Sequence, residues 1–429
     1  MQSRTFTYVT ITLVVALASS IRLDAQGQKT PPNYTVSTLG TLGGTASGGN
    51  SINSLGWITG FSNQAGDQTQ HAALWVRGSQ FDLGTLGGPN SAVEWPVHNS
   101  HGKISGISEI SDMDPLGEIW SCGFFFPTFT GHSCRGFAWE EGVMRALPTL
   151  GGNNSYGAGM NNRGQIVGWA ETSVHDETCT PPQVLQFEAV IYGPAKDQVQ
   201  VLPPLAGDAD SAATAINDNG QAVGISGLCS NAVGGFSARH AVLWENGVPI
   251  DIGNLGGRTW NTPTAINNRG QVVGFSDLPD DEVAHPNFHA FLWTREGGIQ
   301  DLGTLPGDVR SEALGINEKG QVVGLSIDAD HNLRAFLWQD GVMTDLNTLV
   351  PAGSPALLYA NDINNRGQIT GEAFDPSTKQ APAYSATPTE NRASSETAIR
   401  RVAQRATLSQ NLRQQIQRRL GLAGAGLNR

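Results

Sequence analysis

Charged side chains are scarce in this 429-residue sequence, and basic residues are the scarcer of the two signs. Asp, Glu, Lys and Arg make up 15% of the chain, and 26 Lys and Arg residues against 38 Asp and Glu residues give a net charge of −12. A protein that grips nucleic acid needs a basic face for the phosphates. The charge balance therefore argues against a nucleic-acid partner.

Long apolar runs are also missing once the N-terminus is passed. No later stretch approaches the roughly 20 apolar residues of a membrane-spanning helix. The first 25 residues combine Arg4, an apolar run over 8–18 and a small residue at Ala25, which is the pattern of a cleaved secretory signal peptide. A membrane anchor is the alternative. We expect an exported protein, extracellular or periplasmic, with a linker over residues 26–33 and no transmembrane span in the mature chain.

What the sequence has in abundance is one repeated pattern. The motif INNRGQVVG at 266–274 has six further copies, and each copy is followed by an apolar run that ends on an aromatic residue. The other copies start at residues 52, 98, 160, 216, 316 and 363, and the aromatic residues are Trp75, Trp139, Tyr192, Trp244, Trp293, Trp338 and Tyr384. A period of roughly 40 to 50 residues is typical of solenoids and propellers. The repeats leave no room for a second enzyme-sized domain.

Each repeat predicts four β-strands, because four short apolar runs alternate with turn residues. In the copy from 253 to 302 these runs are 264–267, 271–275, 290–293 and 299–302. Four strands make one propeller blade, so the sequence predicts an all-β, seven-bladed β-propeller over residues 34–387. In the motif, the Asn caps a tight turn through its side chain and the Gly takes a positive φ.

The two ends of the repeat region predict how the ring closes. The last repeat lacks a fourth strand, and residues 34–39 resemble one standing ahead of the first repeat. We expect this N-terminal strand to complete the last blade, which removes an open sheet edge. The fourth strand of each blade is then outermost. The tight hairpins share one face, and the crossovers share the other with the variable loops between second and third strands, where binding usually occurs.

The third strands carry a tripeptide that points to a known repeat family. It occurs as His289-Ala290-Phe291 and in related forms: His71-Ala72-Ala73, His240-Ala241-Val242 and Arg334-Ala335-Phe336. With DLGTLGG at 82–88 and HAFLW at 289–293, the sequence resembles the bacterial HAF-type extracellular repeats over about residues 34–384. Blades two, three and seven depart from the tripeptide, with Arg135, Glu188 and Gln380 at the His position. The resemblance implies export and brings no established activity or catalytic residues.

No cofactor is predicted. One histidine per blade, as at His71, His240 and His289, spreads these side chains around the ring, whereas a metal site needs ligands that converge. We expect each of them to make a hydrogen bond at the start of its strand. Weak Ca²⁺ binding by loop carboxylates is the metal alternative left open.

The four cysteines all fall in the variable loops. In an exported chain they suggest disulfides, and their spacing excludes a Cys-x-x-Cys metal site. We expect Cys122 to pair with Cys134 within the longest loop, and Cys179 to pair with Cys229 across adjacent blades.

Carboxylates also gather in these loops. They are Asp112, Asp114, Glu118, Asp176, Glu177, Asp277, Asp280, Asp281, Glu282, Asp328 and Asp330. Two of them could act as acid and base on a glycosidic bond, but solvated loop tips are commoner. We therefore interpret the chain as a binding or surface-interaction protein whose loop face meets a ligand, such as a polysaccharide or another cell-surface component. A carbohydrate-active hydrolase or lyase is the alternative.

Three aromatic residues mark where a ligand would bind. Trp95, Tyr156 and Trp260 lie between a crossover and a first-strand Asn, which predicts a position near the mouth of the channel on the loop face. Aromatic rings stack on sugar rings, and nearby Asp277, Asp280 and Asp281 could accept hydrogen bonds from their hydroxyls. The alternative is that these rings pack between blades.

The tail over residues 388–429 differs in charge from the rest of the chain. It carries eight arginines against Glu390 and Glu396, a charge of +6, so the remainder carries −18 of the total of −12. Apolar residues at helical spacing and Gly421 as a stop predict a helix over about 395–420. These apolar residues are Ile399, Val402, Ala406, Leu412, Ile416 and Leu420. The helix would dock on the acidic propeller or lie on an anionic surface.

Overall fold

Seven four-stranded antiparallel sheets make up the part of the chain that the structure describes. This part comprises residues 31–119, 122–229, 238–257, 259–279, 287–389 and 408 of a computed structural model. The sheets are the blades of a β-propeller, so the all-β, seven-bladed prediction is confirmed. The predicted signal peptide and the predicted helix, apart from Leu408, lie outside the described residues.

The first four blades follow one another along the chain. Strand β1 (Tyr34–Thr38) precedes blade 1, which contains β2 (Gly43–Ile52), β3 (Ile58–Gln64), β4 (Gln70–Val76) and β5 (Ser79–Asp82). Blade 2 contains β6 (Gly87–Ala92), β7 (Lys103–Met113), a short helix α1 (Cys122–Phe125), β8 (His132–Glu140) and β9 (Val143–Ala146). Blade 3 contains β10 (Gly151–Met160), β11 (Ile166–His175), β12 (Leu185–Tyr192) and β13 (Val199–Leu202). Blade 4 contains β14 (Asp210–Ile216), β15 (Ala222–Gly227), β16 (His240–Glu245) and β17 (Val248–Asp251).

The remaining blades repeat the same order. Blade 5 contains β18 (Asn261–Ile266), β19 (Val272–Asp277), β20 (Phe288–Thr294) and β21 (Gly298–Gly303). Blade 6 contains β22 (Arg310–Ile316), β23 (Val322–Ile327), β24 (Leu333–Gln339) and β25 (Val342–Asp345), followed by a 3-10 turn (Leu346–Thr348). Blade 7 contains β26 (Ala356–Ile363), β27 (Ile369–Phe374) and β28 (Ala383–Pro388).

The N-terminal strand closes the ring, as the sequence predicts. The sheet order in blade 7 is β1, β28, β27, β26, and β1 runs antiparallel to β28 with Tyr34 opposite Pro388 and Thr38 opposite Tyr384. Strand β1 is therefore the outer strand of a blade whose other three strands come from the far end of the chain. The inner strand β26 contacts β22 on one side and β2 on the other.

The repeated Asn-x-x-Gly turns have the predicted geometry. In blade 5, Asn267 Oδ1 accepts hydrogen bonds from the backbone N–H groups of Arg269 at 3.1 Å and Gln271 at 3.0 Å. Gly270 has a φ of 74°, where a side chain would be strained. The hairpins therefore end in rigid turns, and all of them lie on one face, here called the hairpin face.

The same asparagines also join the blades to one another. Each Nδ2 donates a hydrogen bond to the backbone carbonyl of the equivalent asparagine in the next blade, over 2.9 to 3.1 Å. The ring runs through Asn53, Asn99, Asn161, Asn217, Asn267, Asn317 and Asn364 and returns to Asn53. All seven side chains are buried. The sequence predicts the turn cap but gives no sign of this second bond.

One apolar cluster occupies the opposite end of the propeller and draws on all seven blades. We call it the loop-end cluster; among its members are Phe61, Ile107, Tyr156, Trp169, Ile225, Trp260, Phe275, Phe288, Leu325, Tyr359 and Leu408. Six of these follow the second-strand glycine of their blades and so occupy one register position: Phe61, Ile107, Trp169, Ile225, Phe275 and Leu325. The variable loops lie above this cluster.

The asparagine ring can be tested at Asn317 with two substitutions. Asn317→Asp keeps an oxygen to cap the turn but replaces the donor that faces the carbonyl of Asn364 with an acceptor. We expect Asn317→Asp to lower the free energy of unfolding by about 1 to 3 kcal/mol, because a buried carbonyl loses its partner. Asn317→Ala, which also loses the cap, should cost more. Denaturant unfolding measures both, and an Asn317→Asp protein as stable as the parent would contradict the role of the ring.

Candidate functional site

Two disulfides fasten the variable loops on the loop face. Cys122 is bonded to Cys134 with their Cα atoms 6.4 Å apart, which clasps the long loop between β7 and β8. Cys179 is bonded to Cys229 with Cα atoms 4.4 Å apart, which joins the loops of blades 3 and 4. Both predicted pairs are confirmed. Structural disulfides indicate an oxidising compartment, extracellular or periplasmic.

The blade 2 loop, residues 114–131, is also held by hydrogen bonds to both neighbouring blades. Glu118 Oε1 accepts the backbone N–H groups of Val184 at 2.9 Å and Leu185 at 2.8 Å in blade 3. Thr128 Oγ1 donates to the carbonyl of Gln68 in blade 1 at 2.9 Å. Within the loop, Asp114 Oδ1 accepts the N–H of Glu118 at 3.1 Å. The described residues of this loop are therefore held by contacts with both neighbouring blades.

Two carboxyl groups meet beneath this loop. Gln183 Nε2 donates to Glu118 Oε1 at 3.2 Å and to Glu171 Oε1 at 3.1 Å. Burial, and secondarily the charge of Glu118, raises the pKa of Glu171 to about 8. Glu171 Oε2 also accepts the N–H groups of Asn153 and Asn154. Both side chains are buried, and their hydrogen bonds to backbone N–H groups hold the loops of blades 2 and 3 together.

The other carboxylates predicted from the loops divide into four groups. Asp328 is buried and caps its own turn by accepting the N–H of Asn332 at 2.9 Å, and Asp277 is buried with Thr259 Oγ1 as a donor. Asp176 makes a side-chain hydrogen bond with Asp210 of blade 4. Burial, and secondarily this hydrogen bond, raises the pKa of Asp210 to about 9. Three are exposed: Asp112, Glu177 and Asp330. Three lie outside the described residues: Asp280, Asp281 and Glu282.

The three aromatic residues predicted to contact a ligand are packed in or against the loop-end cluster. Tyr156 is fully buried and stacks on Trp169 with ring centroids 4.0 Å apart. Phe125 of α1 covers Tyr156 edge-on at 5.8 Å. Trp95 is partly buried against the same cluster. The position near the loop end is as predicted, but the rings are covered by neighbouring elements.

Trp260, the aromatic candidate of blade 5, is also enclosed by neighbouring side chains. It is 2% exposed and makes edge contacts with Phe275 at 5.4 Å and Phe288 at 5.5 Å. The guanidinium of Arg310 lies 5.9 Å from the centre of the Phe288 ring. These contacts give Trp260 a packing role among the aromatic side chains of blade 5. Ligand binding by Trp95, Tyr156 and Trp260 stays a prediction.

A buried carboxylate that sequence reasoning missed lies beside the cluster. Glu312 on β22 is 1% exposed, stands opposite Leu325 in the strand pairing, and has no hydrogen-bond partner for Oε1 among the described residues. Burial, partly offset by the charge of Arg310, raises the pKa of Glu312 to about 8. The repeat pattern does not indicate a carboxylate at this position, because the equivalent residues in other blades are uncharged, as at Ala212 and Thr262.

The third-strand histidines make the predicted hydrogen bonds. His71 Nδ1 lies 2.9 Å from Asp82, His289 Nδ1 lies 2.9 Å from Asp301, and His240 Nδ1 lies 2.8 Å from Asp208. Burial raises the pKa of Asp82, but the hydrogen bonds from His71, the backbone of Gly84 and Gln64, with the charge of His71, together outweigh it and the pKa lies below its usual value. These histidines therefore have a structural role within their blades. Across the described ranges, no three His, Cys, Asp or Glu side chains are grouped to hold a metal ion.

The hairpin face has a small polar cavity at its centre. It has a volume of about 90 Å³ and is lined by five members of the asparagine ring together with His98, Asp218 and Glu318. His98 Nε2 lies 3.2 Å from Asp362, which is fully buried and also accepts the N–H of Ile52 at 2.8 Å. Burial lowers and the nearby Asp362 raises the pKa of His98, and the rise prevails. Asp362 of blade 7 therefore contacts both Ile52 of blade 1 and His98 of blade 2.

Comparison with known proteins identifies no family. No family model and no curated protein sequence matches the chain. Among solved structures, an acylaminoacyl peptidase of Pyrococcus horikoshii is 10% identical with a TM-score of 0.44, covering 82% of this chain and 51% of its own. This chain therefore spans about half the length of that peptidase.

Two smaller proteins are also similar. An oligogalacturonate lyase in complex with manganese is 10% identical with a TM-score of 0.47, covering 84% of this chain and 97% of its own. AofleA from Arthrobotrys oligospora is 10% identical with a TM-score of 0.30, covering 73% and 88%. These similarities concern the fold, and no residue or activity is transferred from them. In the part of the chain that is described, no helix has the length and apolar character to cross a membrane.

The role of Trp260 can be tested by Trp260→Ala. A ring with this burial should cost about 3 to 5 kcal/mol of unfolding free energy when removed, because a cavity remains. Trp57→Ala, at a half-buried site, is the matched control and should cost less. Chemical denaturation measures both. A Trp260→Ala protein of parent stability would contradict the packing role and favour ligand binding instead.

The raised pKa of Glu312 predicts a pH-dependent stability. Between the usual glutamate pKa of 4.5 and about 8, the folded state holds a proton on Glu312 that the unfolded state has released, so stability falls as pH rises through that window. Glu312→Gln should match the parent near the lower limit and be more stable above pH 8 by about 2 to 4 kcal/mol. Exposed Glu296→Gln is the control. Equal melting temperatures for parent and Glu312→Gln at both pH values would contradict the prediction.

Proposed function

We propose that the chain is an exported β-propeller that binds a partner through its variable-loop face, with the disulfide-clasped loop of blade 2 as the main contact surface. The observation that carries the proposal is a group of exposed apolar side chains on that loop. Met113 is 59% exposed, Leu116 43%, Ile119 37% and Phe129 57%. We call these four residues the blade 2 patch. Grouped exposed apolar side chains are typical of interaction sites.

The surroundings of the blade 2 patch support a binding role. Gly123 and Gly131 make room for its side chains: a Cβ atom on Gly131 would lie 2.9 Å from Met113, and one on Gly123 would contact Ile119 and lie 3.7 Å from Phe129. The disulfide and the hydrogen bonds of Glu118 and Thr128 fix the loop before any partner arrives. A surface ordered in advance loses little conformational entropy on binding.

The chemistry of the blade 2 patch favours a partner with an apolar face. Three of its four side chains are aliphatic, and such side chains bury well against protein surfaces, whereas sugar rings prefer flat aromatic platforms. A cell-surface protein therefore fits this patch better than a polysaccharide does. Export by the N-terminal signal and kinship with HAF-type extracellular repeats belong to the same proposal and rest on sequence motifs.

A carbohydrate-active enzyme ranks below the binding protein. Acid and base catalysis needs two carboxyl groups at a fixed separation around an open cleft. Two carboxyl pairs are described: Glu118 with Glu171, and Asp176 with Asp210. Each pair contains at least one buried carboxyl group and accepts hydrogen bonds from backbone N–H groups. Their arrangement supports a structural role.

The proposal predicts a selective effect of Phe129→Ser. Phe81→Ser is the matched control, because Phe81 is 50% exposed on the outer strand β5, away from the variable loops. Labelled protein would be applied to an array of immobilised cell-envelope proteins and to a glycan array. We expect Phe129→Ser to weaken binding to the envelope proteins roughly tenfold or more, as loss of a central aromatic contact does, and Phe81→Ser to bind as the parent does. Both melting temperatures should stay near the parent's.

Two results would contradict this proposal. The first is retention of envelope-protein binding by Phe129→Ser at the parent's affinity. The second is binding to the glycan array alone, which would indicate that the ligand is a polysaccharide. Hydrolysis or elimination of an array glycan would favour the enzyme.

A further inference from the structure

One residue of the Arg-rich tail has a defined place in the structure. Leu408 lies 19 residues beyond Thr389, where the described propeller ends, and is the residue after Thr389 that the structure describes. It is 7% exposed and belongs to the loop-end cluster. A leucine that is almost fully buried must be enclosed by apolar neighbours, and the cluster supplies them from the blades.

The cluster that receives Leu408 is the point where all blades meet. The six second-strand residues, from Phe61 to Leu325, come from blades 1 to 6, and Tyr359 and Phe374 come from blade 7. Loop residues Cys122, Cys229 and Ala238 border the same cluster. Leu408 is therefore seated on the face that carries the variable loops, at the end opposite to the asparagine ring.

Charge favours the same contact. The tail carries +6 and the rest of the chain −18. Opposite net charges on these two parts of the chain add a long-range attraction to the apolar contact of Leu408.

We propose that the C-terminal segment around Leu408 is an internal ligand of the propeller. It docks on the loop face, with Leu408 as its apolar anchor in the loop-end cluster. The proposal does not depend on the proposed function, because the residues of the blade 2 patch are not members of the cluster. An anionic membrane is the rival occupant for the tail and is an outcome of the test.

Limited trypsin digestion of the full chain tests the docking. Trypsin cuts after arginine, and Arg405 and Arg413 flank Leu408. A docked segment resists cleavage until it opens. We expect Leu408→Asp to speed cleavage at these two sites roughly tenfold or more, because a carboxylate is not tolerated in an apolar cluster. Leu420→Asp, the same change at another apolar position of the tail, is the control and should leave the rate unchanged. Mass spectrometry assigns the sites.

A second measurement uses the same full-length variants. The dye anilinonaphthalene sulfonate binds exposed apolar surface, so Leu408→Asp should raise its fluorescence while the melting temperature of the propeller changes little. Leu420→Asp should not. Vesicles of phosphatidylglycerol are added as the rival surface. The proposal is overturned if the parent is cut at Arg405 and Arg413 as fast as Leu408→Asp, if Leu420→Asp matches Leu408→Asp, or if parent and Leu408→Asp bind the vesicles equally with no difference in dye fluorescence.

Discussion

The ring of asparagine side chains is the constraint on which the arrangement of the blades depends. Each asparagine holds its own turn with Oδ1 and the next blade with Nδ2, so one side chain couples local to global structure. A single hydrogen bond of this kind contributes about 1 kcal/mol net, yet seven of them together are comparable to the stability of a whole domain, about 5 to 15 kcal/mol. A cycle has no end at which to fray, so no blade can shift without breaking bonds on both sides.

The two ends of the propeller differ in chemistry because the repeat places polar and apolar residues at opposite ends of the same strands. At one end stand asparagines and a small polar cavity; at the other stands the loop-end cluster. The longest connections lie at the apolar end, where carboxyl groups such as Glu118 and Glu171 are buried and hold the loops by hydrogen bonds. Several of the few ionisable side chains in the sequence are therefore buried in the structure.

Sequence reasoning predicted the architecture well because its signals are local. Turn residues, a repeat period and a missing strand specify seven blades and the strand that closes them. The predicted disulfides followed from cysteines that share one loop face. The burial of Tyr156 and Trp260 could not be predicted in this way, because Phe125 and Phe288 cover them from a loop and from a strand far along the chain.

The roles of the candidate site residues depend on the same kind of distant contact. Glu118 was a candidate acid or base, yet its partners are backbone N–H groups of a different blade. The motif's last glycine is a further case: a Cβ on Gly274 would collide with the carbonyl oxygen of Thr262, where β18 bulges. Repetition of that glycine was visible in the sequence, but its cause was not, since a bulge in the neighbouring strand has no residue signature of its own.

Closure through β1 and β28 sets an order of events for the chain. The first strand to be synthesised, Tyr34–Thr38, finds its partner only when residues 383–388 have appeared. Until then blade 7 has an open edge, and the asparagine cycle cannot be completed, since Asn364 must reach Asn53. Contacts over such a long stretch of sequence form late and slowly. The ring therefore stays open until the last strand of blade 7 has been synthesised, and one late step completes both the sheet of blade 7 and the asparagine cycle.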